Sequence, residues 1–262
     1  MNRLLIAIYC ISLILLACKE DIPKKEKTEK RERLDQLIPA YSEAANYEKQ
    51  IQIINANSDL FEAKSLSYLD NDGKIESVTA LIDSTYQFSK LTHYLTDTDG
   101  RQVETHFYFK GNQLFSSVQT IRRYTEKTTF VREVKTYYNP ESFVVYTAER
   151  KVSGENDIAK SSYSETVKCV HDPTKALQII NQNEKFQTNF LGFNESRGKI
   201  FLIIGTEFYN SSVVVPAYQG VLETLKNNEK KYLNKPLKIE FKEVTELDGF
   251  SYQALLDIKL LK

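Results

Sequence analysis

Between residues 65 and 171 apolar and polar side chains alternate in short runs, and turn-forming clusters interrupt them. Val103-Glu104-Thr105-His106-Phe107-Tyr108-Phe109 shows the alternation. The clusters are Asp70-Asn71-Asp72-Gly73-Lys74, Asp97-Thr98-Asp99-Gly100-Arg101, Lys110-Gly111-Asn112-Gln113 and Asn139-Pro140-Glu141-Ser142. A period of two places successive side chains on opposite faces of a strand, and runs of roughly ten residues between such turns are those of an antiparallel meander. Ser67–Ser77 (SYLDNDGKIES) and His93–Thr105 (HYLTDTDGRQVET) read as two copies of one hairpin design. The 16 Tyr and 14 Phe supply the large side chains that a pleated surface packs well. Several strands carry Thr, Ser and Gln opposite these aromatics, which predicts one packed face and one wet face.

The flanks follow other rules. Ser42 to Asn55 predicts a helix with Ala45, Ile51 and Ile54 as its apolar stripe. Asp172-Pro173 starts a second helix through Ala176, Leu177 and Ile180, followed by a polar connector with Gly192 and Gly198. From Lys199 the pattern changes. An apolar strand runs to Phe208, a helix is predicted from Ala217 to Leu233, and Leu237–Lys242 alternates. After a turn at Asp248-Gly249 the chain returns with Tyr252, Ala254, Leu256, Ile258 and Leu260 on one face. This last part resembles a small barrel of the OB type or an α+β sandwich. The expected fold class is mainly β (α+β): a helix plus antiparallel β-meander domain at 42–171, a helix and connector at 172–198, and a small α+β or barrel-like domain at 199–262.

The N-terminus carries the strongest functional signal. Met1-Asn2-Arg3 is followed by the uncharged run Leu4 to Ala17. That run is too short for a spanning helix, which needs about 20 residues, and has the length of a signal h-region. It ends in Leu15-Leu16-Ala17-Cys18 and so resembles the lipobox of bacterial lipoproteins, with Leu16 bulkier than the usual residue at that position. The resemblance implies cleavage after Ala17, removal of residues 1–17 as a signal peptide, and covalent diacylglycerol and acyl chains on Cys18. No other cofactor is implied. Two or three chains hold a protein on a bilayer where one binds reversibly. Lys19 in place of Asp implies the outer membrane under the sorting rules of such lipoproteins. Lys19-Glu20-Asp21 resembles the tag that sends some Bacteroidetes lipoproteins to the cell surface. Residues 18–41 thus form a lipidated cysteine followed by a tether; most of it, 19–33 (KEDIPKKEKTEKRER), is almost free of apolar residues and reads as flexible.

With Cys10 removed and Cys18 acylated, Cys169 alone keeps a thiol, so no intrachain disulfide is expected. Thr166-Val167-Lys168-Cys169-Val170 reads as a strand that buries this thiol. His171 lies two residues away on the same expected face, a spacing open to a Cys/His dyad, although a strand-end histidine accounts for it. The chain has no GxSxG, HExxH or CxxC and no Gly-rich phosphate loop. With Gly73 or Gly100 at the sixth position of an EF-hand loop, the first and twelfth positions become Tyr68 and Thr79, or Leu95 and His106; the required carboxylates are missing. If Asp99-Gly100 are the centre of a two-residue turn, His93 stands opposite His106 with Glu104 on the same face. Opposed side chains lie about 5 Å apart at Cβ. His93, His106 and Glu104 are therefore the only candidate zinc ligands, and a longer turn would break that register. No metal is assigned, and no catalytic residue.

Lys+Arg and Asp+Glu both number 35, so the net charge is zero, and no nucleic-acid partner is expected. The expected function is a membrane-anchored, non-enzymatic binding or interaction module of the bacterial envelope, on the periplasmic face of the outer membrane or the cell surface. Its partners would be the membrane, through the anchor, and an envelope protein, glycan or lipid. The alternatives are a lipid or lipoprotein carrier with a curved sheet and an envelope hydrolase.

Overall fold

The computed structural model describes residues 44–126 and 128–261. The signal segment, Ala17, Cys18 and the tether lie outside the described residues. The described chain is mainly β, as the alternation predicts. Helix α1 spans 44–56. It is followed by β1 (Phe61–Lys64), β2 (Tyr68–Asp70), β3 (Ile75–Ile82), β4 (Phe88–Thr96), β5 (Gln102–Lys110) and β6 (Gln113–Tyr124). Next come β7 (Thr129–Tyr138), β8 (Val144–Ser153), β9 (Ser164–Glu165) and α2 (Thr174–Ile180). The C-terminal part holds β10 (Asn189–Ser196), β11 (Lys199–Gly205), β12 (Tyr209–Val215), α3 (Val221–Asn227), α4 (Glu229–Tyr232), β13 (Leu237–Thr245) and β14 (Ser251–Leu260).

The sheet order is β10-β11-β12-β2-β3-β4-β5-β6-β7-β8-β9, with β1 also on β3 and the β13–β14 hairpin joined to β12. Every neighbouring pair from β2 to β9 is antiparallel, which is the expected meander. Strand β12 pairs with β2 through Tyr209↔Asp70 and Asn210↔Leu69. Residues 199–262, set apart in the sequence as a small domain, thus extend the sheet of the meander. Leu202, Ile204 and Leu237 share one buried cluster with Val78, Leu91 and Phe107. Gly205 makes the β11–β12 turn feasible: its φ is +140°, and a Cβ there would lie 2.2 Å from the Tyr209 carbonyl oxygen.

β1 and β2 both border β3, at its two ends, and Ser65–Ser67 bridges the gap between them. The Ser65 amide donates to the Val78 carbonyl at 2.8 Å, and Ser65 Oγ accepts the Val78 amide at 2.8 Å, so a side chain continues the ladder. Gln253 of β14 reaches into the same gap. It accepts the Ser67 amide at 3.1 Å and donates to the Ser65 carbonyl at 3.2 Å.

The sheet is covered on both faces. One face, with Val78, Ala80, Leu91 and Phe107, packs against Ala176 and Ile179 of α2 and the C-terminal strands. The other carries Tyr108, Val118 and Tyr137 and receives α1 through Ala44, Tyr47, Ile51 and Ile54. Ala45, expected on the apolar stripe, is exposed. The stripe runs through Tyr47 instead, whose ring stacks on Tyr137 at 4.9 Å. Glu48 anchors the same turn of α1, accepting from Lys135 Nζ at 2.6 Å and Tyr137 Oη at 2.5 Å.

Two further expectations change. The helix predicted over 217–233 is two short helices, broken at Asn228 (φ −136°, ψ 37°). The apolar face of β14 is interrupted by a bulge: Glu240 pairs with Asp257 and Phe241 with Leu255, leaving Leu256 unpaired and exposed while Leu255 turns into the core. An extra residue reverses the alternation beyond it.

Candidate functional site

Two Asp-x-x-Gly turns and α2 frame a cleft of about 560 Å³ at one end of the sheet. In the first turn Asp70 Oδ1 accepts the amides of Asp72 and Lys74 at 2.9 and 2.8 Å, and Gly73 sits at φ +83°. In the second, Asp99 Oδ1 accepts the Arg101 amide at 2.9 Å and Gly100 sits at φ +79°. Aspartate side chains that bind their own backbone and glycines free to adopt positive φ are what such turns require. The floor between the turns carries Glu76 of β3, His93 of β4, Thr105 of β5 and Gln119 of β6; Lys175 of α2 and Tyr209 of β12 close the sides.

Glu76 is 1% exposed. Its carboxylate accepts from His93 Nε2 at 2.9 Å and from Lys175 Nζ at 2.5 Å. Burial pushes its pKa up, and the bonds from His93 and Lys175 more than reverse this, leaving it below the ordinary value. Burial lowers the Lys175 pKa, but the bond to Glu76 outweighs it and the ammonium titrates above its ordinary range. Lys175 Nζ also lies 5.3 Å from the centre of the Tyr209 ring. This is a buried carboxylate supplied with donors from both His93 and Lys175, the condition under which a buried charge is tolerated.

The candidate zinc ligands do not come together. Thr96 pairs with Gln102 across a five-residue turn, so His93 faces Thr105 and Thr92 faces His106. The slip of one residue puts the two histidines on opposite faces of the sheet. On the second face His106 Nε2 meets Glu104 Oε1 at 3.0 Å and its Nδ1 meets Thr92 Oγ1 at 3.0 Å. Arg122 donates to Glu104 Oε2 at 3.0 Å and to Glu155 at 2.9 Å. The hydrogen bond from His106, then that from Arg122, hold the Glu104 pKa at about 2 against the effect of burial. Among the described residues no three His, Cys, Asp or Glu side chains gather as a metal site.

The Thr- and Ser-bearing face of β6–β8 is not wet. Ser117, Thr136 and Thr147 are at most 2% exposed, and segment 166–171 lies across them. Thr136 Oγ1 donates to the Cys169 carbonyl at 3.0 Å, and Thr147 Oγ1 accepts the Cys169 amide at 3.3 Å. These hydroxyls replace the ladder partners that the segment lacks, because 166–171 is not a strand. Cys169 is accordingly only half-buried, and Val167 and Val170 are exposed.

His171 sits at the centre of this contact, and its tautomer follows from its neighbours. Tyr138 Oη donates to the His171 carbonyl at 3.3 Å, so it accepts from Ser117 Oγ at 3.1 Å. Ser117 Oγ then accepts from His171 Nδ1 at 2.9 Å. Nε2 is left with its lone pair toward Cys169 Sγ, 3.4 Å away. Spacing alone foreshadowed the Cys169–His171 contact. Burial, with the positive charge of Arg132, lowers the His171 pKa to about 4, so the ring is neutral at pH 7. The arrangement pins a crossing segment onto the sheet.

The chain matches no protein family, no curated protein and no solved structure. The site therefore rests on its geometry. Sequence reasoning missed Glu76 and Lys175. Glu76 lies in phase with Val78 and Ala80 on β3, and a charge on the apolar phase of a strand was the signal that could have found it. Lys175 lies beside the helix start at Asp172, whose Oδ1 accepts the Thr174 amide at 2.9 Å.

Proposed function

We propose that this chain is a lipoprotein of the bacterial outer membrane, anchored through Cys18, whose sheet-built body is a non-enzymatic binding module. The observation that carries the reading is the apolar run ending in Leu15-Leu16-Ala17-Cys18, followed by a charged stretch that contains almost nothing to bury. None of the helices among the described residues is long and apolar enough to cross a membrane. The body supports binding over carriage. A lipid carrier needs an enclosed apolar volume, whereas α1 and α2 fill the two faces of the meander with Ile51, Tyr47 and Ile179. A polar cleft around Glu76, His93, Lys175 and Arg101 stays open, as do two hollows along the β13–β14 hairpin.

Mass analysis of the processed protein, combined with protease treatment of intact cells, tests the reading. The expected result is an N-terminal peptide that begins at diacylated Cys18, with the body cut by external protease if the Lys19-Glu20-Asp21 stretch directs it to the surface. A mature N-terminus at any other residue would overturn the reading.

A further inference from the structure

We propose that the cleft between the two Asp-x-x-Gly turns binds a carboxylate-bearing polyol, such as an acidic sugar unit, with Arg101 receiving the carboxylate. The proposal rests on the binding-module reading and names the ligand chemistry of that site. Of the nitrogen donors that line the cleft, Lys175 and His93 are engaged by Glu76, and Lys74 lies 3.4 Å from Asp72. Arg101 differs. Its guanidinium has no ion pair, hydrogen bond or ring contact among the described residues, and its Nε is shut off from solvent without an acceptor. Buried N–H groups in folded proteins are nearly always paired, so the unpartnered Arg101 side chain stands out. Arg122, Arg132 and Arg150 on β6–β8 each have a carboxylate partner, in Glu104, Glu149 and Glu133.

The rest of the lining selects the class of anion. A guanidinium fork matches the two oxygens of a carboxylate. Asp70, Asp72, Glu76 and Asp97 also line the cleft. Asp70 and Asp97, which no cation pairs among the described residues, repel a phosphate dianion more than a single negative charge. Gln119, whose Nε2 donates to Thr105 Oγ1 at 3.2 Å, keeps its carbonyl oxygen for a hydroxyl, and the carboxylates of Asp70 and Asp72 accept from hydroxyls as well. The volume of about 560 Å³ is that of a small-ligand site. One negative charge on a hydroxylated scaffold fits these walls.

Ligand-observed saturation-transfer NMR on the processed protein, purified in detergent, tests this with d-glucuronate and d-glucose as observed probes and inorganic phosphate as a competitor of the glucuronate signal. Glucuronate should show saturable transfer, with glucose roughly tenfold weaker or worse and phosphate displacing glucuronate only at roughly tenfold higher concentration or more, the worth of a charge-assisted hydrogen bond. Arg101→Gln should abolish the glucuronate signal, and Arg101→Lys, which keeps the charge and loses the fork, should weaken it roughly fivefold or more. Thermal midpoints of both variants should equal or exceed that of the parent, because an unmatched N–H is removed. Equal transfer to glucose, tighter binding of phosphate, an unchanged signal in Arg101→Gln or a lowered midpoint would each overturn the proposal. The anchor is tested on Cys18 by mass, so the two claims fail separately.

Discussion

Glu76 Oε2 lies 2.9 Å from His93 Nε2 on the α2-covered face of the sheet, one residue out of the register in which His93 would have met His106. The histidine thus serves a buried carboxylate. Removing that charge while leaving its donors in place exposes how much of the fold depends on it. Glu76→Gln should destabilise the protein by about 3 kcal/mol, the scale of breaking a buried ion pair. Urea titration at pH 7 measures this. The sign with pH follows from the depressed carboxylate: its contribution is full above the unfolded value near 4.5 and is lost as pH falls through the lower folded value. Glu76→Gln should therefore flatten the acid side of the stability profile.

Gln253 gives a second test. It is 7% exposed and satisfies the amide of Ser67 and the carbonyl of Ser65 where the edge of β3 passes from β1 to β2. Gln253→Leu would leave both groups buried and unpaired. The expected loss is about 2–6 kcal/mol, at roughly 1–3 kcal/mol for each orphaned group. Equilibrium denaturation reads it, and amide exchange at Ser67 should accelerate more than exchange at Val213 in the core.

His171 makes a prediction in pH. Its folded pKa is lowered to about 4 from the ordinary value of 6.5. At pH 7 the ring is neutral in both states and contributes nothing to the pH dependence. Between about 6.5 and 4 the unfolded chain takes up a proton that the folded chain refuses. Stability therefore falls as pH is lowered through that window, by up to about 1.4 kcal/mol per unit. Urea midpoints at pH 7, 5.5 and 4.5 should show the decline, and His171→Gln should remove this component. A steeper decline in the variant would contradict the assignment.

The strand order of the meander was legible because alternation and Asp-x-x-Gly turns act locally. The side chains of Asp70 and Asp99 close their own turns, and no distant contact is needed. What stayed hidden depends on counts of one residue or on partners far along the chain. The five-residue turn from Asp97 to Arg101 decides which face His106 occupies, and Asp-Gly alone does not distinguish it from a two-residue turn. The bulge at Leu256 turns Leu255 inward in the same way. The buried hydroxyls of Ser117 and Thr136 looked solvated because their partners, the His171 ring and the Cys169 backbone, arrive from 54 and 33 residues away. In the cleft, Asp70 and Arg101 sit on visible turns. Their meeting with Lys175 depends on the packing of α2 over β3.

The central claim, that acyl chains on one sulfur hold this body to the envelope, is tested most directly by replacing Cys18 with serine and fractionating the cells. The account predicts that the parent sediments with membranes and resists carbonate extraction. It predicts that Cys18→Ser, folded to the same thermal midpoint, loses its membrane-resistant fraction. Full retention of the variant in the carbonate-resistant membrane fraction would contradict it.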